Sequence, residues 1–365
     1  MCFVIPGWLT KGMGGAELQA FLLAEELVKR NWKIEVVSSK RPILFPEYFN
    51  DKITYHYYKK SSFKLLFFIR VLKTFFQTQS YYYYNRTNAP ILRGACSWYC
   101  KLKRKKMIYA VAGDSETGYF SFAKEIRIRT PLDLLKYTDA LIIDCLVKKS
   151  VHAAHLVLTQ SQQQQLALLK NTGIHSYIMR SSVDKIFYIN NPIKKNTILW
   201  IGNLRKIKQP EVFVQIASEI KLNGWQYKII GRIADPDYAY VKTIHDKTIN
   251  YQSEMSLEAA NREIAQARII VNTSVTEGFS NTFIQAWLNN TLVISLNANP
   301  DELLSQKKYG IFCNGDREKL KQSIINATGN YEQYISLMQS AKEFALQEFD
   351  ISKNTNNLIR VLEQL

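Results

Sequence analysis

Apolar residues along this chain alternate between short unbroken runs and longer stretches in which every third or fourth position is apolar. Runs at residues 2–5, 34–38, 53–57, 81–84, 107–112, 140–143 and 156–159 read as strands buried in a parallel sheet. Between the first two, residues 16–30 place Leu18, Phe21, Leu22, Leu23, Leu27 and Val28 at helical spacing. Residues 63–76 form another helical pattern, with Arg70 and Lys73 on one face and a wide arc of Phe67, Phe68, Val71, Leu72, Phe75 and Phe76 on the other. Ser161 heads a glutamine-rich helix start. Around residues 180–196 the pattern breaks into polar positions with Asn190-Asn191-Pro192, which reads as an interdomain linker. Alternation then restarts, with strands at 198–201, 227–230 and 292–296 and helices at 211–222 and 257–267; from Arg317 onward the chain is mostly helical. Strands alternating with helices on both sides of a linker predict two doubly wound α/β halves.

Length agrees, since 365 residues suit about two domains. With 47% hydrophobic residues the chain can bury a sizeable core. The formal net charge of +17 favours anionic partners, whether phosphorylated donors, acidic lipid headgroups or nucleic acid. The five cysteines, Cys2, Cys96, Cys100, Cys145 and Cys313, are scattered; Cys96 and Cys100 sit one helical turn apart with no second pair to complete a zinc site. They read as reduced, cytosolic thiols. No run of eighteen uncharged apolar residues suggests a membrane span, and no positively charged lead precedes an apolar core, so a signal peptide is not expected.

The most informative stretch is 267–287. It opens as an apolar run rich in β-branched residues, continues as a loop over 274–279, and reaches Ser280 or Asn281 as the cap of a helix carrying Phe283, Ile284 and Trp287. Glu277 thus falls at the carboxyl end of a strand, just ahead of a helix N-terminus. In an open α/β sheet that edge binds ligands, and a helix N-terminus there suits an anion. The plainer reading is a solvent-facing glutamate in a strand–loop–helix. The segment Glu277-Gly278-Phe279-Ser280-Asn281-Thr282-Phe283-Ile284-Gln285-Ala286-Trp287 resembles the signature of retaining, nucleotide-sugar-dependent glycosyltransferases of family 4, which have the GT-B fold. That family shows Glu, seven residues, then Glu; here the second position is Gln285. The resemblance implies that Glu277 holds the donor sugar's hydroxyls, that the helix start (Gly278, Phe279, Ser280, Asn281, Thr282) takes the diphosphate, and that Gln285 faces the ribose hydroxyls.

Other stretches bear on the same expectation. Gly12, Gly14 and Gly15 precede the first helix, where adjacent glycines let a ligand approach the backbone or simply make the turn. Gly14-Gly15-Ala16-Glu17 resembles the family's first loop, facing the donor, although Glu17 also suits a helix cap. In residues 198–210, relatives carry Gly-Arg and then a lysine, two cations that neutralise the departing diphosphate. Lys208 matches the lysine; Asn203 stands at the arginine position, and Arg205 two residues on is the candidate substitute. Either cation is also readable as a solvated loop charge. Gly231 and Arg232 end the next strand on the ligand edge. Asp114 follows the 107–112 strand near where relatives carry a histidine, and is a candidate for orienting donor or acceptor. His152 and His155 sit three apart without a third ligand nearby and read as ordinary residues. Two features suit a membrane surface, the 63–76 helix and the basic run 101–106, but core packing and a solvated turn explain them equally.

The chain is therefore expected to be a GT-B transferase with two Rossmann-like domains: an acceptor-side domain over 1–188 completed by a returning C-terminal helix, 350–365, and a nucleotide-sugar-binding domain over 189–349. It would move a sugar from a UDP- or GDP-type donor to a saccharide or lipid-linked acceptor in cell-surface glycan or polysaccharide biosynthesis. Glu277, Lys208, Arg205 and Asp114 would be the catalytic set, with no cofactor and no metal. Cytoplasmic placement with peripheral contact to an anionic membrane, and no nucleic-acid partner, complete the expectation. Two rivals stand beside it. One is a binding protein that kept the fold and lost turnover, suggested by Gln285 and Asn203; the other is a basic membrane- or nucleic-acid-associated protein with structural α/β halves.

Overall fold

In the computed structural model, residues 1–8, 14–40, 52–87, 89–119, 121–148, 150–184, 187–244 and 249–365 are described. Gly12 of the glycine-bearing loop lies outside them. The chain divides into two compact units, one of Met1–Ser182 with Ile351–Leu365, the other of Val183–Asp350.

The first unit runs β1 (Cys2–Val4), α1 (Gly15–Lys29), β2 (Ile34–Ser38), β3 (Ile53–Tyr57), α2 (Lys64–Phe75), β4 (Tyr82–Asn85), α3 (Pro90–Lys103), β5 (Lys106–Ala110), α4 (Pro131–Val147), β6 (Leu156–Thr159), α5 (Gln162–Thr172) and β7 (Tyr177–Ile178). Its seven strands are all parallel, in the order β3-β2-β1-β4-β5-β6-β7. The order reverses between β1 and β4, the topological switch of a doubly wound sheet. Both faces of the sheet are covered by helices, which is why β1, β4, β5 and β6 read as nearly continuous apolar runs.

The apolar run at 140–143 is a correction. It is not a strand but the middle of α4. Thr130 caps that helix, accepting from the Asp133 amide at 3.2 Å while Asp133 accepts back from the Thr130 amide at 3.0 Å, and Pro131 fixes the first turn. Ala140, Ile143 and Val147 face inward at helical spacing, while Leu141 and Ile142 are exposed. A helix apolar on two faces reads locally like a buried strand. Most of the α2 arc meets the core: Phe68, Val71 and Phe75 are buried, and Phe67 and Leu72 pack partly into the core of this unit, while Phe76 at the helix end is half exposed.

The second unit runs β8 (Lys195–Ile201), α6 (Pro210–Glu219), β9 (Gln226–Ile230), β10 (Ile249–Gln252), α7 (Leu257–Gln266), β11 (Ala267–Asn272), α8 (Asn281–Leu288), β12 (Leu292–Ser295), β13 (Ile311–Phe312), α9 (Arg317–Gly329) and α10 (Ile335–Glu348). Its strands are parallel in the order β10-β9-β8-β11-β12-β13, with the reversal between β8 and β11. Trp287 of α8 anchors an aromatic cluster with Phe279, Phe344 and Phe349, and its indole N–H donates to the Tyr309 carbonyl at 2.7 Å. That cluster fixes α8 against α10 and so sets where the helix begins.

The last helix, α11 (Ile351–Glu363), returns to the first unit. It packs on α1, where the Arg30 guanidinium donates to Ser352 Oγ at 2.8 Å, and the Tyr82 hydroxyl donates to the Leu362 carbonyl at 3.0 Å.

Candidate active site

Two loops leave the carboxyl ends of β8 and β11, the strands on either side of the second unit's reversal. That is the position where open α/β sheets hold ligands. The β8 loop ends in a single tight turn, Lys206–Lys208, after which Gln209, in left-handed backbone, and Pro210 start α6. The β11 loop runs through Thr273 and Glu277 to Ser280, which precedes α8.

The loops are tied together before any side-chain charge is considered. The Val275 amide donates to the Ile207 carbonyl at 2.9 Å. Thr273 is the clasp: its hydroxyl accepts from the Trp200 indole at 2.9 Å and shares its proton between the Lys208 and Gln209 carbonyls, each at 2.8 Å. These bonds hold the turn carrying Lys208 beside the segment carrying Glu277.

Lys208 Nζ then meets Glu277 Oε1 in an ion pair. The same oxygen accepts from Ser274 Oγ at 2.7 Å and from Asn272 Nδ2 at 3.2 Å. Asn272 is itself oriented, since its Oδ1 accepts the Ser274 amide at 3.1 Å. All three donors converge on Oε1, and Oε2 accepts no hydrogen bond among the described residues. The Glu277 side chain is 13% exposed and that of Lys208 22%, so the pair is mostly withdrawn from water. Burial is the largest single influence and pushes the carboxyl up; the Lys208 charge together with the bonds from Lys208, Ser274 and Asn272 outweighs it and leaves Glu277 below the usual carboxylate range. The arrangement is a fixed carboxylate with one oxygen saturated and the other available.

The start of α8 lies three residues on. Ser280 does not cap the helix with its side chain; its hydroxyl pairs instead with that of Thr282 at 2.8 Å. The first turn therefore carries no side-chain cap, and the helix contains no acidic residue there, which suits an anion at that end. The Phe279 ring is buried in the aromatic cluster, so any role at the helix start falls to its backbone. Gln285, one turn further in, is 5% exposed; its carbonyl accepts from Asn289, and its side-chain amide makes no hydrogen bond among the described residues. Arg205 is exposed and forms no ion pair among the described residues.

Gly231 has a different reason to be glycine. Its φ is +155°, and a Cβ there would lie 1.8 Å from the Gly202 carbonyl oxygen. It lets the ends of β8 and β9 close together, with the Gly202 amide donating to the Ile230 carbonyl at 3.0 Å.

The remaining expected residues belong to the first unit and lie at the carboxyl edge of its own sheet. Gly14 is the extended residue before α1, and its carbonyl accepts the Leu18 amide at 3.0 Å; Gly15 is the first helical residue. Asp114 follows β5 and accepts from Gln164 Nε2 at 3.0 Å. Two residues on is a carboxylate that sequence reasoning missed. Glu116 is buried, accepts from the Tyr109 hydroxyl at 2.7 Å, and is pushed up by burial; that hydroxyl in turn accepts from Arg93 at 2.8 Å. In the second unit, Asn272, Thr273 and Ser274 were missed as well. Their only sequence signal is a run of three polar residues closing an apolar strand. His152 pairs with the Tyr119 hydroxyl and His155 with the Met107 amide, and among the described residues no three His, Cys, Asp or Glu side chains converge.

A family model, glycosyl transferases group 1, matches residues 195–330, the segment holding both loops. Solved structures match the chain over its whole length. Anabaena HepE in complex with UDP-glucose aligns at a TM-score of 0.74 with 15% identity, over 100% of this chain and 99% of that one. The sucrose-phosphate synthase of Thermosynechococcus elongatus aligns at 0.76 with 13% identity, over 100% and 98%. WaaG, a glycosyltransferase involved in lipopolysaccharide biosynthesis, aligns at 0.73 with 11% identity, over 99% and 98%.

The chain has the GT-B fold of these structures.

No match is found among curated proteins. In this fold, the elements at the second unit's switch point could divide between them the chemistry a nucleotide-sugar asks for. A carboxylate oxygen can accept from a sugar hydroxyl, a cation can meet phosphate charge, and an uncapped helix start can offer amides.

Proposed function

We propose that this protein is a glycosyltransferase that moves a sugar, with retention of anomeric configuration, from a nucleotide-diphosphate donor to a saccharide or lipid-linked acceptor. The observation that carries this reading is the asymmetry of Glu277: three donors hold Oε1, and Oε2 is open beside the start of α8. Oε2 takes a hydroxyl of the donor sugar, and the amides from Gly278 to Thr282 take the diphosphate. Gln285, with its amide unengaged, bonds the ribose hydroxyls. The UDP-glucose bound by Anabaena HepE supports UDP over GDP as the nucleotide.

The bond from the sugar's C1 to the diphosphate oxygen breaks, and the acceptor oxygen takes its place on the same face while losing its proton. Charge grows on the diphosphate as that bond opens. Lys208, with Arg205 and the α8 dipole, stabilises it, so transfer proceeds without a metal. Gly14 and Gly15 offer backbone for ligand binding at the carboxyl edge of the first unit's own sheet, and Asp114 at that edge orients the acceptor. The setting is cell-surface glycan or polysaccharide assembly at the cytoplasmic side of an anionic membrane, with peripheral contact.

A panel of UDP- and GDP-sugars tested for protection against thermal unfolding identifies the donor, because a ligand that binds the folded state stabilises it by mass action. One UDP-sugar should raise Tm and support transfer, with the product's anomeric proton coupling matching that of the donor. An inverted product would refute retention. Absence of protection by every nucleotide-sugar would favour a homologue that lost turnover.

A further inference from the structure

The first unit carries a surface that the chemistry of the donor site does not use. In α4 the buried residues Ala140, Ile143 and Val147 make one arc, and at about 100° per residue they centre opposite a second apolar arc of Leu134, Leu135, Leu141 and Ile142. These four are 42–59% exposed. The other exposed positions on that stripe, Thr138 and Cys145, are uncharged, so the stripe runs about 17 Å without a charge.

The acids of the helix are all turned away. Asp133 closes the helix's own cap. Asp139 caps the neighbouring α2 by accepting the Lys64 and Leu65 amides at 2.5 and 2.9 Å. Asp144 accepts from Ser121 Oγ and the Phe122 amide, both at 2.8 Å. Arg127 and Arg129 at the entry and Lys148 at the exit are exposed, with Glu125 the single acid in the lead-in.

The layer around α4 has the same character. The three helices α2, α3 and α4 pack on one another, and the half-exposed Trp98 of α3 reaches the α4 carbonyl of Leu146 at 3.2 Å. Both α2 and α3 lie in a stretch, residues 52–113, with no Asp or Glu and thirteen Lys or Arg.

We propose that the outer face of α4, rimmed by these cations, docks on an anionic lipid bilayer. Its leucines and Ile142 enter the boundary between headgroups and acyl chains, and Arg127, Arg129 and the α3 end (Lys101, Lys103, Arg104) meet lipid phosphate. Charge decides the occupant. A second copy would press one predominantly cationic rim against another, whereas an anionic surface neutralises it. The proposal rests on the membrane contact in the function above and relocates it, since Phe68, Val71 and Phe75 at the centre of the α2 arc face the core.

Cys145 supplies the reporter, because it lies on the stripe and the other four cysteines are buried. An environment-sensitive fluorophore on Cys145 should shift to the blue with vesicles containing one-third phosphatidylglycerol, not with phosphatidylcholine alone, and high salt should reverse the shift. In co-sedimentation of the unlabelled protein, L134E/L141E should lower vesicle affinity about a hundredfold. Its Tm, and its Tm increase with a nucleotide-sugar, should stay those of wild type, which separates this idea from the donor reading. Unchanged vesicle binding by the variant would overturn the proposal. So would equal binding to neutral vesicles, or a label shift that needs no lipid and follows dimer formation in sedimentation.

Discussion

Replacing Lys208 by methionine should reverse the pH dependence of the second unit's stability. In the wild type, Glu277 is held below its ordinary range because the cation and three hydrogen bonds outweigh burial. A carboxyl whose folded pKa is depressed contributes stability fully above the unfolded value, about 4.3, and loses it as pH falls through the folded value. Between pH 5 and 8 that contribution is therefore flat. Without Lys208, the largest remaining influence is burial, which pushes the carboxyl up. A raised folded pKa has the opposite sign: stability is greatest at low pH and declines as pH rises through the window above the unfolded value.

The magnitude follows from what remains. Removing one partner of a fully buried pair costs about 3–5 kcal/mol. Here the carboxylate keeps its bonds from Ser274 and Asn272 and is 13% exposed, which brings the cost at neutral pH to about 2 kcal/mol. For a unit of this size that lowers Tm by about 4–8 °C. Calorimetry from pH 5 to 8 should show the Lys208→Met deficit growing toward neutrality. The double variant with Glu277→Gln should recover part of it, because no unpaired charge remains. A deficit that is constant with pH, or larger at pH 5, would refute the ion pair as the organising contact.

Glu277→Ala should lower kcat/KM at least ten- to a hundredfold, from loss of a charge-assisted bond worth about 1.5–3 kcal/mol; wild-type initial rates from a folded variant would refute the assignment. Gln285→Leu should weaken nucleoside diphosphate binding about tenfold in calorimetry, while Gln285→Glu preserves or tightens it; tight binding only in Gln285→Glu would mark the wild type as a lapsed transferase. Gly231→Ala should destabilise the second unit by about 3 kcal/mol or more, because its Cβ would overlap the Gly202 carbonyl; a Tm within 2 °C of wild type, roughly 0.5–1 kcal/mol, would refute that close approach.

The doubly wound architecture is legible wherever a strand is buried on both faces, because nothing else in a chain this charged gives short, uninterrupted apolar runs. It fails where that premise fails. Residues 140–143 look like such a run because α4 is apolar toward the core and toward the outside. Single-sequence periodicity cannot separate those two kinds of burial. Short edge strands such as Tyr177–Ile178, both exposed, and Ile311–Phe312 leave no run to read.

The site divides along the same line. Glu277 and Lys208 are readable because each follows a strand at the edge where the sheet reverses, and each fits a resemblance. What they do to one another is not readable. The ion pair joins residues 69 apart in sequence, brought together where Thr273 binds the Lys208 and Gln209 carbonyls and the Val275 amide binds the Ile207 carbonyl across the two loops. Asn272 and Ser274 look like an ordinary polar end to a strand until the fold turns both donors onto one carboxylate oxygen. Motif residues thus mark where chemistry is positioned, whereas the orientation of a reactive oxygen is set by neighbours whose identities carry no signal of their own. Substitutions at Thr273, Asn272 or Ser274 should therefore leave the motif intact and still disturb the site.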